Sequence, residues 1–169
     1  MKRKAMIAAI CILGLLAVAL LCVPATRAMR ERGRRFQCCS RVHNTFLVFK
    51  MFAMDNNHAF PTNIQQMSGY IDIPGWFVCP GRSNMPMNLS YATCTDWLDY
   101  ICVPWPDGEE LTWAEYPVIY DRRLSNHGGR GINIGFVDGS ARWDSKAEWL
   151  QKFAKEHPDL RIPLPEDLR

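Results

Sequence analysis

The sequence predicts an α+β protein: a long N-terminal transmembrane helix that continues as a spine packed on a small antiparallel β-sheet, with a short C-terminal helix. Three observations predict it. Ala5 to Thr26 carries no charge, and as a helix it would rise roughly 33 Å, enough to cross the hydrocarbon core of a bilayer. Directly after it, Phe36, Cys39, Val42, Phe46, Phe49 and Ala53 recur at steps of three and four, with Arg32, Arg35, Arg41 and Lys50 mostly off that stripe, the pattern of an amphipathic helix. Far downstream, Gly131 to Val137 alternates and runs into Asp138-Gly139, the pair that a two-residue hairpin turn prefers because both central residues need positive φ.

Taken in order, residues 1–26 form a basic flank and the membrane span. Lys2, Arg3 and Lys4 ahead of an apolar run would also open a secretory signal, but the run is longer than the usual apolar region and lacks a small-x-small cleavage site. A lipoprotein signal would want a small residue before Cys22, where Leu21 stands. The expectation is an uncleaved anchor. Lys2, Arg3 and Lys4 favour a cytoplasmic N-terminus while the five arginines between 27 and 35 pull the other way, so charge alone does not set the topology.

Residues 27–54 form the amphipathic spine, which ends where Asp55-Asn56-Asn57-His58-Ala59-Phe60-Pro61 makes a proline-closed turn. The remaining residues, 55–169, are enough for one small domain. In it, Thr62 or Asn63 caps a short helix stopped at Gly69, and Trp76 to Cys79, Leu89 to Cys94 and Tyr100 to Val103 read as short strands. Pro117 to Tyr120 reads as an edge strand opened by its proline. The hairpin at 125–143 follows, and Asp144 or Ser145 caps a last helix with Ala147, Leu150 and Ala154 on one face.

Charge narrows the function classes. The net charge is only +3, and most of the excess basicity lies at residues 2–4 and 27–35. After Met54 the chain is close to neutral, so no nucleic-acid partner is expected and the basic cluster reads as a lipid-headgroup contact. There is no Ser-His-Asp order, Walker loop or HExxH motif, and no enzyme is expected.

Two stretches carry a family resemblance. Leu15 to Pro61, with its apolar run, Pro-Ala pair, arginine-rich helix, cysteine and DNN-x-x-FP end, and Tyr120 to Trp143, YDRRLSNHGGRGINIGFVDGSARW, resemble the prepilin-like, type II pseudopilin-like proteins of planctomycetes and verrucomicrobia with their C-terminal H-x9-DG signature. Phe77-Val78-Cys79-Pro80 is similar to the Cys-Pro that the family carries between them. Here ten residues separate His127 from Asp138, one more than in the signature. The Gly-Phe cleavage site and the following Glu of pilin-type proteins are absent, no Glu occurring before Glu31; an upstream in-frame Gly-Phe-x-x-x-Glu would indicate a misplaced start.

The resemblance implies a type IV pilin-like fold, a cytoplasmic N-terminus and a periplasmic domain at the bacterial inner membrane. It also implies a structural role in a type II secretion-like or envelope-associated assembly, with the bilayer and other pilin-like subunits as partners. Phe36, Val42, Phe46 and Phe49 are the expected helix-packing residues.

Seven cysteines are many for this length. Cys11 and Cys22 pack as small apolar residues in the span. Cys38 matches the family's helix cysteine and Cys79 its Cys-Pro, so the resemblance makes a Cys38–Cys79 bridge the first pairing. Cys94 with Cys102 is the second, leaving Cys39 free. With no C-x2-C, and with 79, 94 and 102 at spacings foreign to common zinc motifs, no zinc site is expected. Asp121, Asn126, His127, Asp138 and Gly139 form a candidate ion or ligand loop, and the alternative to a structural role is a periplasmic ligand- or calcium-binding domain, or an enzyme, that uses the His127–Asp138 loop on a pilin-like scaffold. No cofactor is expected, and calcium is the one ion such oxygen ligands would suit, as in related pseudopilins. The structural reading is stronger: Asp138 because the turn needs it, His127 because its ring bonds loop carbonyls. Trp97, Trp105 and Trp113 suggest an aromatic loop that contacts sugar or protein, or else core tryptophans.

Overall fold

The computed structural model describes residues 2–57, 60–61, 64–72, 74–82, 99–103 and 114–169. The expected strand Leu89 to Cys94, the caps Thr62 and Asn63, and Trp97, Trp105 and Trp113 lie outside them. The chain divides into two units, residues 1–33 and 34–169.

In the first unit the chain is helical as part of α1 (Lys2–Asp55), which contains Pro24. Its apolar side chains face outward, Leu13 being 68% and Leu20 74% exposed. The helix is long and apolar enough to cross a membrane. A surface of this kind is stable only against lipid or other apolar helices.

In the second unit α1 is amphipathic. Cys38, Val42, Thr45, Phe46, Phe49, Phe52 and Ala53 are buried, one face at helical spacing. Phe36, expected on this stripe, is 77% exposed: the buried face begins two residues later, at Cys38, on a different side of the helix. Arg41 reaches sideways and donates from its guanidinium to the carbonyls of Gly75 and Val78.

Four strands make one antiparallel sheet in the order β1-β2-β3-β4: β1 (Tyr100–Cys102), β2 (Pro117–Asp121), β3 (Gly131–Phe136) and β4 (Ala141–Ser145). Every residue of β3 is buried, so both faces of the sheet are covered. Alternation puts Asn133 and Gly135 on one face and Ile132, Ile134 and Phe136 on the other. The first face meets α1, Gly135 lying against Val42. The second meets α2 (Glu148–Glu156), whose Trp149 packs edge-on to Phe136 with ring centroids 5.2 Å apart. Arg142 lies over both rings.

Three local expectations are corrected. Trp76 to Cys79 is not a strand: Pro74–Phe77 is a 3-10 turn, and Phe77 offers its carbonyl to Asp99 N–H at 3.0 Å. The strand beginning at Pro117 is not an edge but lies between β1 and β3, with a register irregularity between Pro117 and Ile119. Its proline is tolerated there because it is the first residue of the strand and sits at that irregularity. The Asp138-Gly139 turn is not the two-residue kind. Phe136 N–H donates to Ser140 O and Gly139 N–H to Phe136 O, each at 2.9 Å, and of the residues in the loop only Gly139 has positive φ, 86°. This is a three-residue loop, a tight turn closed by a left-handed glycine.

The expected cap by Asp144 is realised from an unexpected distance. Ala147, not Asp144, is the residue preceding α2, yet the Asp144 carboxylate accepts the N–H groups of Trp149 at 3.1 Å and Leu150 at 2.9 Å, satisfying two donors that the helix leaves unpaired.

Candidate functional site

Four buried side chains of the second unit converge on one place. Cys38 comes from α1, Cys79 from the turn after Phe77, Asp121 from the end of β2 and His127 from the 3-10 turn Leu124–His127. All four are sealed from solvent, none more than 1% exposed. Their donor atoms lie within 4.8 Å of one another, and these are the residues that could hold a metal ion. Cys38 Sγ is 3.7 Å from Cys79 Sγ and donates to Asp121 Oδ1 at 3.1 Å. His127 Nε2 is 3.3 Å from Cys79 Sγ and 3.4 Å from Asp121 Oδ2.

Each position is fixed by its local chain. Asp121 Oδ2 accepts both the backbone N–H of Asn133 at 2.7 Å and its side-chain amide at 3.1 Å, so β3 aims the carboxylate. Cys79-Pro80-Gly81 folds back on itself: Gly81 N–H donates to Cys79 Sγ at 3.3 Å, and Arg82 N–H to Cys79 O at 3.0 Å. Cys79 N–H in turn donates to Asp99 Oδ2 at 2.9 Å. Gly128, at φ 65°, ends the turn that presents His127. The His127 ring meets Trp143 edge-on, and Arg35 lies 4.1 Å above that indole. The Tyr100 hydroxyl closes another side, 3.3 Å from Cys38 Sγ.

Protonation follows this packing. Burial pushes the Cys38 thiol well above its usual range, and burial does the same to Tyr100. Contact with Cys38, aided by His127, brings Cys79 down to about 7 against the effect of burial. Burial pulls His127 down, but Asp121 and Cys79 outweigh it and push the imidazole up to about 10.

A Cys-His-Asp set raises the question of nucleophilic catalysis. A relay of that type uses one imidazole nitrogen for the nucleophile and the other for the carboxylate. Here the same atom, Nε2, meets both, and all three groups are buried. The arrangement is convergent rather than sequential.

The sequence-based candidates fall in several places. Asp121 and His127 belong to this cluster, and so do Cys38 and Cys79. The latter two are free thiols rather than the expected bridge: their sulfurs are 3.7 Å apart, well beyond the roughly 2.05 Å of an S–S bond. Cys102 is on β1, and its expected partner Cys94 is outside the described residues. Asn126 lies in the turn that carries His127. Asp138 is exposed and accepts Ser140 N–H at 2.8 Å; the Ser140 hydroxyl first, and this N–H second, hold its carboxyl below the usual range. Gly139 offers its carbonyl to His43 Nδ1 at 2.6 Å. The oxygen set expected for calcium is therefore divided between a buried cluster and a surface turn.

The C-terminal residues strap the His127 turn in place. Glu166 N–H donates to Arg122 O at 2.9 Å, its carboxylate takes Arg122 and, at 2.6 Å, Arg123, and Asp167 accepts Ser125 N–H at 2.8 Å. The two guanidinium groups, Arg123 first, hold the Glu166 carboxyl below its ordinary 4.5. A carboxyl lowered in the folded state stabilises above its unfolded value and loses that contribution as pH falls through the folded one. Glu166→Gln is expected to reduce stability at pH 7 by about 0.5 kcal/mol, since the pair is partly solvated. Thermal unfolding of the two proteins at pH 7 and at successively lower pH checks this: the difference should be present at pH 7 and shrink as the pH falls below the ordinary carboxylate range.

Fold and site together define a small α+β domain on an N-terminal apolar helix, built round a buried cluster of two cysteines, an aspartate and a histidine. Comparison with protein-family models, with curated proteins and with solved structures finds no match.

Proposed function

We propose that this chain is a non-enzymatic, single-pass, membrane-anchored structural protein of pilin-like design. On this reading it works in a type II secretion-like or envelope-associated assembly of the bacterial inner membrane, with its domain in the periplasm. The observation that carries the reading is the double use of α1 (Lys2–Asp55). One stretch of it presents an outward apolar surface around its whole circumference, from Ile10 to Val23, and another gives the domain its buried face, from Cys38 to Ala53. The first stretch provides an anchor and a surface for like helices in the bilayer; the second fixes the domain to the element that assembles. The resemblance of Leu15 to Pro61 and of Tyr120 to Trp143 to the prepilin-like family supports the same reading.

Cys11 and Cys22 are exposed on the apolar stretch and serve as native probes. A membrane-permeant bismaleimide applied to intact membranes should give crosslinked dimers and higher oligomers that vanish in the Cys11→Ser/Cys22→Ser double variant and persist in Cys39→Ser. A monomer-only pattern, or release of the chain from membranes by alkaline carbonate, would overturn the reading.

A further inference from the structure

We propose that Cys38, Cys79, Asp121 and His127 bind a single zinc ion in a closed, tetrahedral, structural site. The argument begins with the distances. Zinc with Zn–S near 2.3 Å and Zn–N or Zn–O near 2.1 Å sets tetrahedral ligand atoms about 3.8 Å (S–S), about 3.6 Å (S–N, S–O) and about 3.4 Å (N–O) apart. The cluster shows 3.7 Å for the sulfur pair, 3.3 Å from Cys79 Sγ to His127 Nε2, and 3.1 Å from Cys38 Sγ to Asp121 Oδ1, the oxygen free to serve as ligand; Oδ2, 3.4 Å from His127 Nε2, is the one that Asn133 holds. Four side chains from four separate elements thus bring one donor atom each to within 4.8 Å of one another.

Donor type selects the ion. Two sulfurs and an imidazole suit a borderline-soft metal and are poor ligands for calcium or magnesium, which take oxygen. Full burial and four protein donors leave no open position for substrate, which marks a structural rather than a catalytic site. The thiols bind as thiolates and His127 through the lone pair of a deprotonated Nε2, so the thiol protons and the imidazolium proton all leave to solvent on binding.

The surrounding shell is that of a ligand set. Asn133 orients Asp121 through two hydrogen bonds, Gly81 N–H points at Cys79 Sγ, and Asp99 holds the Cys79 backbone. Such partners fix the direction of a ligand's lone pair. Without the ion, the same residues amount to a His127–Asp121 ion pair and two thiols removed from water, an arrangement whose desolvation burial penalises. The ion would tie α1, the Cys-Pro-Gly turn, β2 and the His127 turn together at one point. A domain of this size gains much from such a staple.

The test uses the full chain, purified in detergent under reductant and without chelator. Metal analysis should find about one zinc per chain, and removing it with a chelator should lower the melting temperature, with zinc restoring it. Cobalt(II) exchanged for zinc should give the intense visible bands of a tetrahedral thiolate site. Cys39→Ser should leave the spectrum unchanged. His127→Cys, which keeps four ligands, should retain cobalt and raise the thiolate-to-cobalt absorption about 1.5-fold, three thiolates replacing two. The proposal is overturned if the reduced chain neither carries nor takes up zinc or cobalt, or if metal binding survives in the Cys38→Ser/Cys79→Ser double variant. It is likewise overturned if unreduced protein from native membranes is two hydrogens lighter through a Cys38–Cys79 bridge.

Discussion

Gly81→Ala is expected to destabilise the domain by about 2–4 kcal/mol, the range of a forced overlap in a packed interior. A Cβ at this position would stand 2.0 Å from the carbonyl oxygen of Asn126 and 3.0 Å from its carbonyl carbon. Both are backbone atoms, so no rotamer change relieves the clash. The Cys-Pro-Gly turn and the turn that carries His127 would have to separate, and with them Cys79 Sγ and His127 Nε2. Thermal unfolding of the full chain in detergent should show a fall in Tm of roughly 10 °C. Gly69→Ala is the control, because nothing lies within 4 Å of a Cβ there. Equal melting of the two variants would mean that the two turns do not pack as closely as described.

The same contact explains what the sequence did and did not disclose. The long apolar helix, the end of α1 near Met54, β1, the β3–β4 hairpin and the capping role of Asp144 follow from periodicity and turn chemistry, both of which act over a few residues. Errors arise where a long-range partner decides. Pro117 signals an edge, but it begins an interior strand because the register shifts beside it. Trp76 to Cys79 has the composition of a strand, but Arg41 from α1 takes the carbonyls of Gly75 and Val78 and Asp99 takes Cys79 N–H, leaving no edge for a neighbouring strand. Phe36 fits the helical stripe by spacing and is exposed because the buried face starts at Cys38.

The cluster itself was legible in two halves. Cys38 with Cys79 reads as one pair, and Asp121 with His127 as part of another. What periodicity cannot supply is that Asp121 leaves β2 beside α1 while His127 turns back under Cys79, merging the two. Zinc motifs announce themselves when ligands sit close in sequence on one loop; here each comes from a different element, and spacing carries no signal. Chemical cues were present in Cys79-Pro80-Gly81 and His127-Gly128-Gly129. A cysteine or histidine followed by residues that turn the chain sharply is a side chain delivered by a fixed backbone.

Asp99 carries the second large effect. It is fully buried, and four interactions pass through this one residue. Its carboxylate accepts Cys79 N–H at 2.9 Å and Arg82 at 3.2 Å. Its own N–H donates to Phe77 O at 3.0 Å, and its carbonyl accepts Arg122 N–H at 2.6 Å. Burial raises its carboxyl pKa, while Cys79 N–H and Arg82 draw it back. The carboxylate is thus held in the interior by donors, and removing it strands them. Asp99→Ala should cost about 3–4 kcal/mol, since it leaves a buried N–H unpaired and a largely buried guanidinium without this partner. Asp99→Asn keeps one acceptor oxygen for Cys79 N–H and should cost about half as much. Denaturant unfolding of both, with Arg82→Ala and the Asp99→Ala/Arg82→Ala double variant, separates the two roles. If the ion pair dominates, the double variant recovers at least about 1 kcal/mol of the summed single losses. If holding the Cys79 backbone dominates, the losses add, and Asp99 is then the residue that positions the cysteine turn.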